Sequence, residues 1–498
     1  MADSSSSGTH EGLSTRKRAT VSEGRTARGR ILLLSKQFNE SGHTGGFRWW
    51  GMVRDLVREG WAFDVLTVAG SDAIPPVPPQ NAQAPAPVEI HTVSPNWWGQ
   101  PLRRGVGRVV ENMREVLTGP WGAADDTEPP KSPEQADPWT PGDTRPILSR
   151  FRYDLVGATV WLTEAIWAWR AYWMGRKLLR RRSYAAIVAT SPNFQGQASA
   201  SLLKRQFGVP YVADFRNLWH YGFGCMNEYS DDVHRILNKV LERWALPAAD
   251  AIIHITEAAR DAHARATQSW LPSISRFYVP NGYEPVDKPI PPPDPSTFRV
   301  AHTGWVYPFN DVRPLMAACG RFVRRHDFSP NEFQLEFMGS GTECGGVPYD
   351  DLARAYGLSE YFTAYPRRPR SEARQLQQDA AVMVAFDYPH GRQIPSKLYH
   401  YAQTKGVLLL IGDPDGAMAD EAAKIGASVL ALDDDAGIDR ALDAAYAKWQ
   451  TQGSPAPLDP DGQFSIHQSS DRMHNILTRL ATPVQAPSYG ASPNTRAQ

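Results

Sequence analysis

The feature that most restricts the fold of this chain is a regular alternation of short apolar runs with helical patterns. Apolar runs typical of buried strands lie at Ile31–Leu34 and Phe63–Val68 near the start, and at Phe333–Met338 and Val407–Ile411 further on. Amphipathic stretches of helical periodicity, such as Asp232–Leu246, lie between such runs. Strands that alternate with helices over this length predict the α/β class, with doubly wound parallel sheets.

A proline-rich stretch at residues 284–297 has neither helical nor strand periodicity, and it interrupts the alternation. Because the pattern then resumes, we interpret this stretch as a linker between two Rossmann-like domains. The expected organisation is an N-terminal domain at 30–290, a C-terminal domain at 291–460 and a last helix at 463–482. Ligands of open α/β sheets bind beyond the carboxyl ends of the strands, so we expect the two domains to face each other across a cleft.

Composition narrows the class of protein further. The 498 residues are 42% hydrophobic and carry a formal net charge of zero, which argues against a general nucleic-acid-binding protein. The three cysteines are far apart and lack the spacing of metal or redox pairs, so we expect a reduced, cytoplasmic compartment. Residues 1–29 lack the apolar core of a secretory signal, and they are predicted to be disordered, as are residues 483–498 and an insertion near 119–147.

The most apolar window, Leu155–Gly175, is about long enough to cross a bilayer. Glu164 and Arg170 lie inside it, and charges are costly at mid-bilayer, so a spanning helix is disfavoured. A helix packed in the protein or lying at a membrane surface fits better. Five basic residues follow within Arg176–Arg182. They form either a solvated helix end or a patch for anionic lipid head groups on the inner face of a membrane.

Strand, polar loop, short helix and second strand follow one another in Asp387–Gly412, DYPHGRQIPSKLYHYAQTKGVLLLIG. Pro395 and Ser396 suit a helix start, where free backbone N–H groups attract anions. Lys397 would lie in the first turn, where a cation opposes the helix dipole. This local misfit indicates a phosphate site, and a solvated lysine is the alternative.

The loop after the first strand, NESGHTGGFRWW, places Gly45 and Gly46 ahead of a helix predicted at Trp49–Glu59. The loop lacks the GxGxxG spacing of dinucleotide-binding sheets. Paired glycines still allow backbone N–H groups to approach a diphosphate or a sugar. A plain tight turn is the alternative.

Five short motifs occur in one order along the chain. They are the Gly45-Gly46 pair, ATSPN at 189–193, ADFRNLW at 213–219, VPNGY at 279–283 and IPSKLYHY at 394–401. Together they resemble the motifs of GT-B glycosyltransferases of the family 4 type, in which DFRDLW and IPxKxxEY are the corresponding patterns. The resemblance covers residues 30–480 apart from the insertion, and it implies two Rossmann-like domains facing across a cleft.

The resemblance further implies that the C-terminal domain holds a nucleotide-sugar donor, that the N-terminal domain holds the acceptor, and that the last helix crosses back to the N-terminal domain. No other cofactor is implied. We expect no metal ion, because cationic side chains and helix starts can stabilise the departing diphosphate. The donor-binding residues so assigned are Gly45, Gly46, Arg313, Gly339, Arg367, Ser396 and Lys397, and Asn193 falls on the acceptor side.

Two positions depart from the family's pattern. Many members carry two glutamates eight residues apart, where this chain has Arg392 and His400. His400 can still bond a ribose hydroxyl as donor or acceptor. Arg392 cannot accept a hydrogen bond, so it suits an acidic sugar or a phosphate better than a neutral hexose. Both stay donor-binding candidates.

The catalytic candidates are Asp214 and Arg216, at the end of a predicted strand. Asp214 would face the cleft and orient the acceptor hydroxyl; the alternative is that it pairs with Arg216 or caps the next turn. No protein nucleophile is assigned, since members of the family retain anomeric configuration without an obvious one.

The resemblance therefore predicts a retaining, metal-independent glycosyltransferase that acts on a glycan, a lipid-linked acceptor or another small acceptor. Two alternatives stay open. One is a catalytically degenerate protein that binds sugar nucleotides, motivated by Arg392 and His400. The other is a GT-B epimerase, which needs acid and base carboxylates in the cleft.

Overall fold

The computed structural model describes residues 28–38, 44–68, 86–94, 147–191, 194–216, 232–285, 295–307, 310–339, 341–388, 394–451 and 457–481. The predicted disordered tails, apart from residues 28 and 29, and nearly all of the predicted insertion lie outside these ranges, as do Asn193 and Arg392.

The first sheet has seven strands, all parallel: β1 (Gly29–Leu34), β2 (Trp61–Val68), β3 (Val88–Val93), β4 (Ala186–Thr190), β5 (Tyr211–Phe215), β6 (Ala251–His254) and β7 (Ser275–Tyr278). Their order across the sheet is β3-β2-β1-β4-β5-β6-β7. The direction of winding changes between β1 and β4, and such a switch point leaves a crevice beyond the strand ends.

Helices cover both faces of this sheet: α1 (Thr44–Arg58), α2 (Ile147–Leu179), α3 (Gln195–Phe207), α4 (Asp232–Ala245) and α5 (Glu257–Thr267). Neighbouring residues of β1 point to opposite faces. Leu33 belongs to the same apolar cluster as Trp49 of α1, and Leu32 to the same cluster as Trp167 of α2. A strand buried on both faces is a nearly continuous apolar run, which explains why the strands are conspicuous in the sequence.

The second sheet has six parallel strands: β8 (Phe298–Thr303), β9 (Phe333–Met338), β12 (Phe362–Tyr365), β13 (Val382–Phe386), β14 (Val407–Ile411) and β15 (Val429–Leu430). A small hairpin of β10 (Glu343–Cys344) and β11 (Val347–Pro348) lies apart from it. The order is β12-β9-β8-β13-β14-β15, so the winding changes between β8 and β13. The prediction of two doubly wound parallel sheets is confirmed.

The helices of this second part are α6 (Arg313–His326), α7 (Tyr349–Ala355), α8 (Arg370–Asp379), α9 (Ser396–Ala402), α10 (Ala417–Ala423) and α11 (Asp435–Thr451). Among the described residues, no helix combines the length and the apolar character needed to cross a membrane.

The last helix, α12 (Ile466–Ala481), packs on α1 of the first sheet. Ile466 is fully buried, and it lies against Gly51 of α1, where a Cβ atom would stand 3.0 Å from its side chain. Asp55 of α1 accepts hydrogen bonds from Nδ1 of His467 (2.5 Å) and from the hydroxyl of Ser470 (3.1 Å). The C-terminal helix is therefore joined to the first sheet by apolar packing and by a largely buried polar cluster.

The VPNGY motif, Val279–Tyr283, holds the start of α12. The backbone N–H of Ile466 donates to the carbonyl of Tyr283 at 2.7 Å, and Ser469 donates to the carbonyl of Pro280 at 2.9 Å. A Cβ on Gly282 would lie 2.7 Å from the backbone nitrogen of Ile466. Glycine is required at this position because the two backbones approach each other so closely.

Two local expectations were wrong. The first helix starts at Thr44 rather than Trp49, so Gly45 and Gly46 belong to its first turn instead of a preceding loop. Glycine is tolerated there because first-turn N–H groups have no intrahelical partner. Helix α5 was not predicted, since its alanine-rich sequence has no marked apolar stripe. Its start is fixed by Thr256, whose hydroxyl accepts from the N–H of Ala259 at 2.9 Å.

The packing of α12 on α1 can be tested with a matched pair of isoleucines. We expect Ile466→Ala to lower the free energy of unfolding by about 2–5 kcal/mol, because it removes buried methyl groups and leaves a cavity. Ile236 on α4 is 60% exposed, so Ile236→Ala should change it by less than about 0.5 kcal/mol. Urea denaturation measures both variants. Equal losses would contradict this packing.

Candidate functional site

A pocket of about 530 Å³ lies beyond the carboxyl ends of β8, β9 and β12 and next to the start of α9. Helices from both halves of the chain reach it. Its lining residues are Phe47, Thr303, Gly304, Met338, Gly339, Arg367, Arg368, Pro369, Arg370, Ala373, Arg374, Gln377, Ser396, Lys397, His400 and Gln403. The structure therefore brings together five of the predicted donor-binding residues, namely Gly339, Arg367, Ser396, Lys397 and His400.

Lys397 is the best-defined cation of the pocket. Its side chain lies directly over Gly304, and it makes no hydrogen bond or ion pair with any other residue that the structure describes. Burial, and next the charge of Arg370, lower the pKa of Lys397 to about 8. A desolvated ammonium without a carboxylate partner is what an anion-binding site needs.

The start of α9 contributes less than the sequence indicated. The helix is only seven residues long, and its N-cap residue, Pro395, offers no side-chain cap. The charge that favours an anion in this pocket therefore comes mainly from side chains rather than from a helix dipole.

His400 lies one turn after Lys397 on the same face of α9. Burial lowers the pKa of His400 well below its usual value, and the charges of Lys397, Arg370 and Arg374 lower it further. The imidazole is therefore neutral at pH 7, and it can donate one hydrogen bond and accept another. That capacity is the one that contact with a ribose hydroxyl requires.

Phe47, in the first turn of α1, closes the pocket from the side of the first sheet. Its ring centre lies 3.9 Å from the guanidinium carbon of Arg370 and 6.3 Å from the ring centre of His400. Gly45 and Gly46 come immediately before it in the helix, but neither lines the pocket. The predicted approach of this glycine pair to a diphosphate stays a prediction.

The strand ends that form the base of the pocket are fixed by hydrogen bonds. The hydroxyl of Tyr401 accepts from the N–H of Thr303 at 2.9 Å, and Gln377 donates to the hydroxyl of Thr303 at 2.7 Å. Gly339 lies against the backbone of Gly304 and leaves no room for a Cβ atom. Glycine at 339 therefore serves a close approach of two strand ends.

Four arginines of the pocket come from one short stretch, RRPRSEAR, at residues 367–374. Arg367 and Arg368 are exposed, whereas Arg370 and Arg374 are half-buried in the first turns of α8. Like charges four residues apart on a helix cost about 0.2–0.5 kcal/mol, and cations near a helix start oppose its dipole. Sequence reasoning included Arg367 but missed the other three, although this density of arginines at a helix start was a readable signal.

Arg313 does not line the pocket, and its predicted contact with the donor stays a prediction. Its guanidinium makes an ion pair with Asp311, with Nη2 and Oδ2 2.6 Å apart, and its side chain is 58% exposed. This pairing raises the pKa of Arg313. The guanidinium that was expected to contact the donor thus forms its ion pair with Asp311.

Asp214 does not face the cleft, so its predicted position was wrong. It is fully buried at the end of β5, and its two oxygens lie 3.0 and 2.8 Å from Nη1 of Arg48. Its Oδ2 also accepts from the indole N–H of Trp49 at 2.7 Å. Arg48 in turn donates to the carbonyl of Val279 at 2.9 Å. The observed partner is Arg48 rather than Arg216, and this contact favours a structural role for Asp214.

Arg216 lies closer to the cleft. Its backbone N–H donates to the hydroxyl of Ser191 at 3.2 Å, and its Nε has no hydrogen-bond partner among the described residues. Burial and the neighbouring Arg48 lower the pKa of Arg216 to about 10, while Asp214 and Tyr388, which follows β13 of the second sheet, oppose this effect. Its catalytic role stays a prediction.

One group of carboxylates and histidine has the spacing of a metal site among the described residues: Asp64, Glu89 and His91 on β2 and β3. It belongs to the first sheet and not to the pocket. Arg30 and Arg182 already form ion pairs with Asp64, and the hydroxyl of Tyr184 donates to it at 2.5 Å. The cluster is therefore a partly buried charge network with its own cations.

The structural role of Asp214 predicts a large loss of stability in Asp214→Asn, about 3–5 kcal/mol, because Arg48 would stay buried without its counter-ion. The control is Asp351→Asn on α7. That aspartate is 52% exposed in its pair with Arg354, so its replacement should cost less than about 1 kcal/mol. Urea denaturation compares the two. A stable Asp214→Asn protein that has lost activity would favour the catalytic role instead.

Comparisons with known proteins bear on the fold. Neither protein-family models nor the sequences of curated proteins match this chain. Solved structures do match it. The sucrose-phosphate synthase from Thermosynechococcus elongatus is 13% identical, with a TM-score of 0.54 over 91% of this chain and 99% of that one. The trehalose 6-phosphate synthase from Burkholderia multivorans is 11% identical, with a TM-score of 0.51 over 91% and 94%.

A third similar structure is described as trehalose-6-phosphate from E. coli bound with UDP-2-fluoro glucose. It is 12% identical, with a TM-score of 0.50 over 90% of this chain and 99% of that one. At such identities the similarity concerns the fold alone. The chain has the GT-B fold, with two Rossmann-like α/β sheets and a pocket between them.

Proposed function

We propose that this protein is a glycosyltransferase that transfers a sugar from a nucleotide-sugar donor. The observation that carries the proposal is Lys397, a desolvated lysine without a described counter-ion, in a cationic pocket beyond the carboxyl ends of strands of the second sheet. That is where open α/β sheets bind nucleotides. One structure of the same fold is described as bound with UDP-2-fluoro glucose, which supports the proposal.

The pocket suits stabilisation of a departing diphosphate. When the bond between the sugar and the phosphate breaks, negative charge builds up on the leaving group, and preorganised cations lower the energy of that state. Lys397 and Arg370 are the side chains proposed to do this, and the ring of Phe47 packs against the guanidinium of Arg370. Transfer with retention of configuration is part of the proposal, and no protein nucleophile is assigned.

Metal independence is also part of the proposal. The described lining of the pocket contains no carboxylate, the side chain that usually holds Mg²⁺ beside a substrate phosphate. Five of its lining side chains are instead cationic. The same lack of carboxylates disfavours the epimerase alternative, which requires an acid and a base.

The acceptor side is less defined. We propose a glycan, a lipid-linked acceptor or another small acceptor that approaches from the first sheet, with Arg216 and Asn193 as candidate contacts. The ADFRNLW motif that contains Arg216 continues beyond the described residues at its carboxyl end.

Replacing Lys397 tests the donor site. We expect Lys397→Met to weaken the binding of UDP or GDP about 10–100-fold, because a charge-assisted hydrogen bond contributes about 1.5–3 kcal/mol. In the wild type, affinity should fall as the pH rises through about 8, the pKa of Lys397, because the ammonium loses its proton. The control is Lys448→Met, since Lys448 lies in the last turn of α11 and away from the pocket.

Calorimetric titration measures both effects. Undiminished binding by Lys397→Met would refute the assigned role. Incubation with a panel of nucleotide sugars and acceptors then separates the enzyme from the inactive alternative: binding without transfer or donor hydrolysis supports a degenerate sugar-nucleotide-binding protein.

We also propose that the protein associates with the inner face of an anionic membrane. Helices α2 and α4 carry six of the eight exposed large hydrophobic side chains of the described residues. We call this the aromatic surface: Leu162, Trp169 and Trp173 of α2, with Ile236, Val240 and Trp244 of α4. Soluble proteins rarely expose so many large apolar groups on two adjacent helices without a partner.

The two halves of the aromatic surface are connected. The indole N–H of Trp161 donates to Asn238 at 3.2 Å, which joins α2 to α4. Further along, Arg205 of α3 lies 4.7 Å from the ring centre of Trp244. The exposed charged residues on the described parts of these two helices and the turn after α2 are all basic: Lys177, Arg180, Arg181, Arg182, Lys239 and Arg243. Aromatic side chains bordered by cations suit the head-group region of anionic lipids.

A matched pair of valines tests this surface. Val240 is 63% exposed within it, and Val347 is 41% exposed on β11, outside it. We expect Val240→Asp to reduce sedimentation with phosphatidylglycerol vesicles at least fivefold, because it places a carboxylate where lipid phosphates would lie. Val347→Asp should leave sedimentation unchanged. Vesicles of phosphatidylcholine should bind weakly. Absence of wild-type binding at low salt, or self-association through the same surface, would contradict the proposal.

A further inference from the structure

The charge of the pocket exceeds what a nucleoside diphosphate needs. Among the described lining residues, Arg367, Arg368, Arg370, Arg374 and Lys397 are cationic, and none is acidic. The diphosphate of a nucleotide sugar carries two negative charges. Lys397 and Arg370, whose charge lowers the pKa of Lys397, suffice to neutralise them. Three arginines are then left without an assigned partner in the ligand.

Of the three remaining arginines, Arg374 gives the strongest evidence for a further anionic group in the ligand. It is half-buried, and no hydrogen bond or ion pair joins it to another residue of the described part of the chain. It lies one helical turn after Arg370, near the start of α8, so both its neighbour and the helix dipole oppose its charge. Arg374 lines the pocket together with His400, the residue proposed to contact the ribose, and its charge lowers the pKa of His400.

Arg367 and Arg368 give weaker evidence for a further anionic group in the ligand. Both are exposed, so water and salt screen their charges. Neutral sugar hydroxyls explain none of the three arginines, because a hydroxyl binds a carboxylate, an amide or a neutral histidine equally well without the electrostatic cost. A planar guanidinium instead matches a carboxylate or a phosphate, each of which offers two oxygens.

We propose that the substrate bound in this pocket carries a second anionic group besides the diphosphate, a carboxylate or a phosphate, which binds Arg374. This inference rests on the proposed function and deepens it by naming the substrate class. The second anion belongs either to the donor sugar, as in a nucleoside diphosphate hexuronate, or to a phosphorylated acceptor that reaches the same pocket.

The test compares ligands that differ in one charge. UDP-glucose and UDP-glucuronate form one pair and GDP-mannose and GDP-mannuronate another, and calorimetric titration gives their affinities. For the acceptor, glucose and glucose 6-phosphate are titrated into protein saturated with UDP or GDP. We expect the charged member of at least one pair to bind at least tenfold more tightly. Preference for a hexuronate assigns the anion to the donor, and preference for the phosphate assigns it to the acceptor.

Variants show whether Arg374 causes the preference. In Arg374→Gln the ratio of the two affinities should fall to about one, and Arg374→Lys should restore part of it, because lysine returns the charge without the planar fork. The control Arg354→Gln changes an exposed arginine of α7 outside the pocket, so it should keep the wild-type ratio. Measurement at low and high salt separates a bound anion from long-range attraction, which high salt removes.

The results that would contradict the donor site, the second anion and the role of Arg374 differ from one another. If neither UDP nor GDP binds the wild-type protein, the proposed donor site is wrong. If a nucleotide binds but every matched pair shows equal affinities, the second anion is refuted and the donor site stands. A preference that Arg374→Gln retains in full would refute the assigned residue and with it this inference.

Discussion

The contact between α12 and α1 is the interaction on which the pocket depends. Helix α1 carries Phe47 to the pocket from the first sheet, and α12 holds α1 through the burial of Ile466 and through hydrogen bonds to Asp55. The same region contains Arg48, which bonds both to Asp214 and to the VPNGY turn. The C-terminal segment leaves the second sheet and packs as α12 on the first. It therefore fixes the position of α1, which closes the pocket with Phe47.

Placing several cationic side chains in one pocket costs electrostatic free energy. Burial lowers the pKa of Lys397 and of His400, and the charge of Arg370 at the start of α8 lowers both further. The described lining of the pocket contains no carboxylate. Proteins usually pair buried charges, so Lys397, which has no described counter-ion in this cavity, indicates a ligand of the opposite sign. The proposed glycosyl transfer uses this arrangement directly, because charge on the leaving diphosphate grows as the bond to the sugar breaks.

The fold followed from the sequence because strands buried on both faces are continuous apolar runs, which local patterns reveal. Side-chain partners did not follow, because they depend on contacts between distant segments. Asp214 was expected in the cleft, yet Arg48, 166 residues earlier, holds it in the interior. Arg313 was expected at the donor, but Asp311 pairs with it. Lys397 does lie early in a helix that follows a strand, as expected, because that signal is local. Its contact with a diphosphate stays a prediction.

A crystal structure of the protein with UDP or GDP tests the central claim most directly. The account predicts that the diphosphate lies in the pocket between the two sheets, with an oxygen within hydrogen-bond distance of Nζ of Lys397 and with Arg370 beside it. A nucleotide bound elsewhere, or one bound in the pocket with its diphosphate turned away from Lys397, would contradict the account.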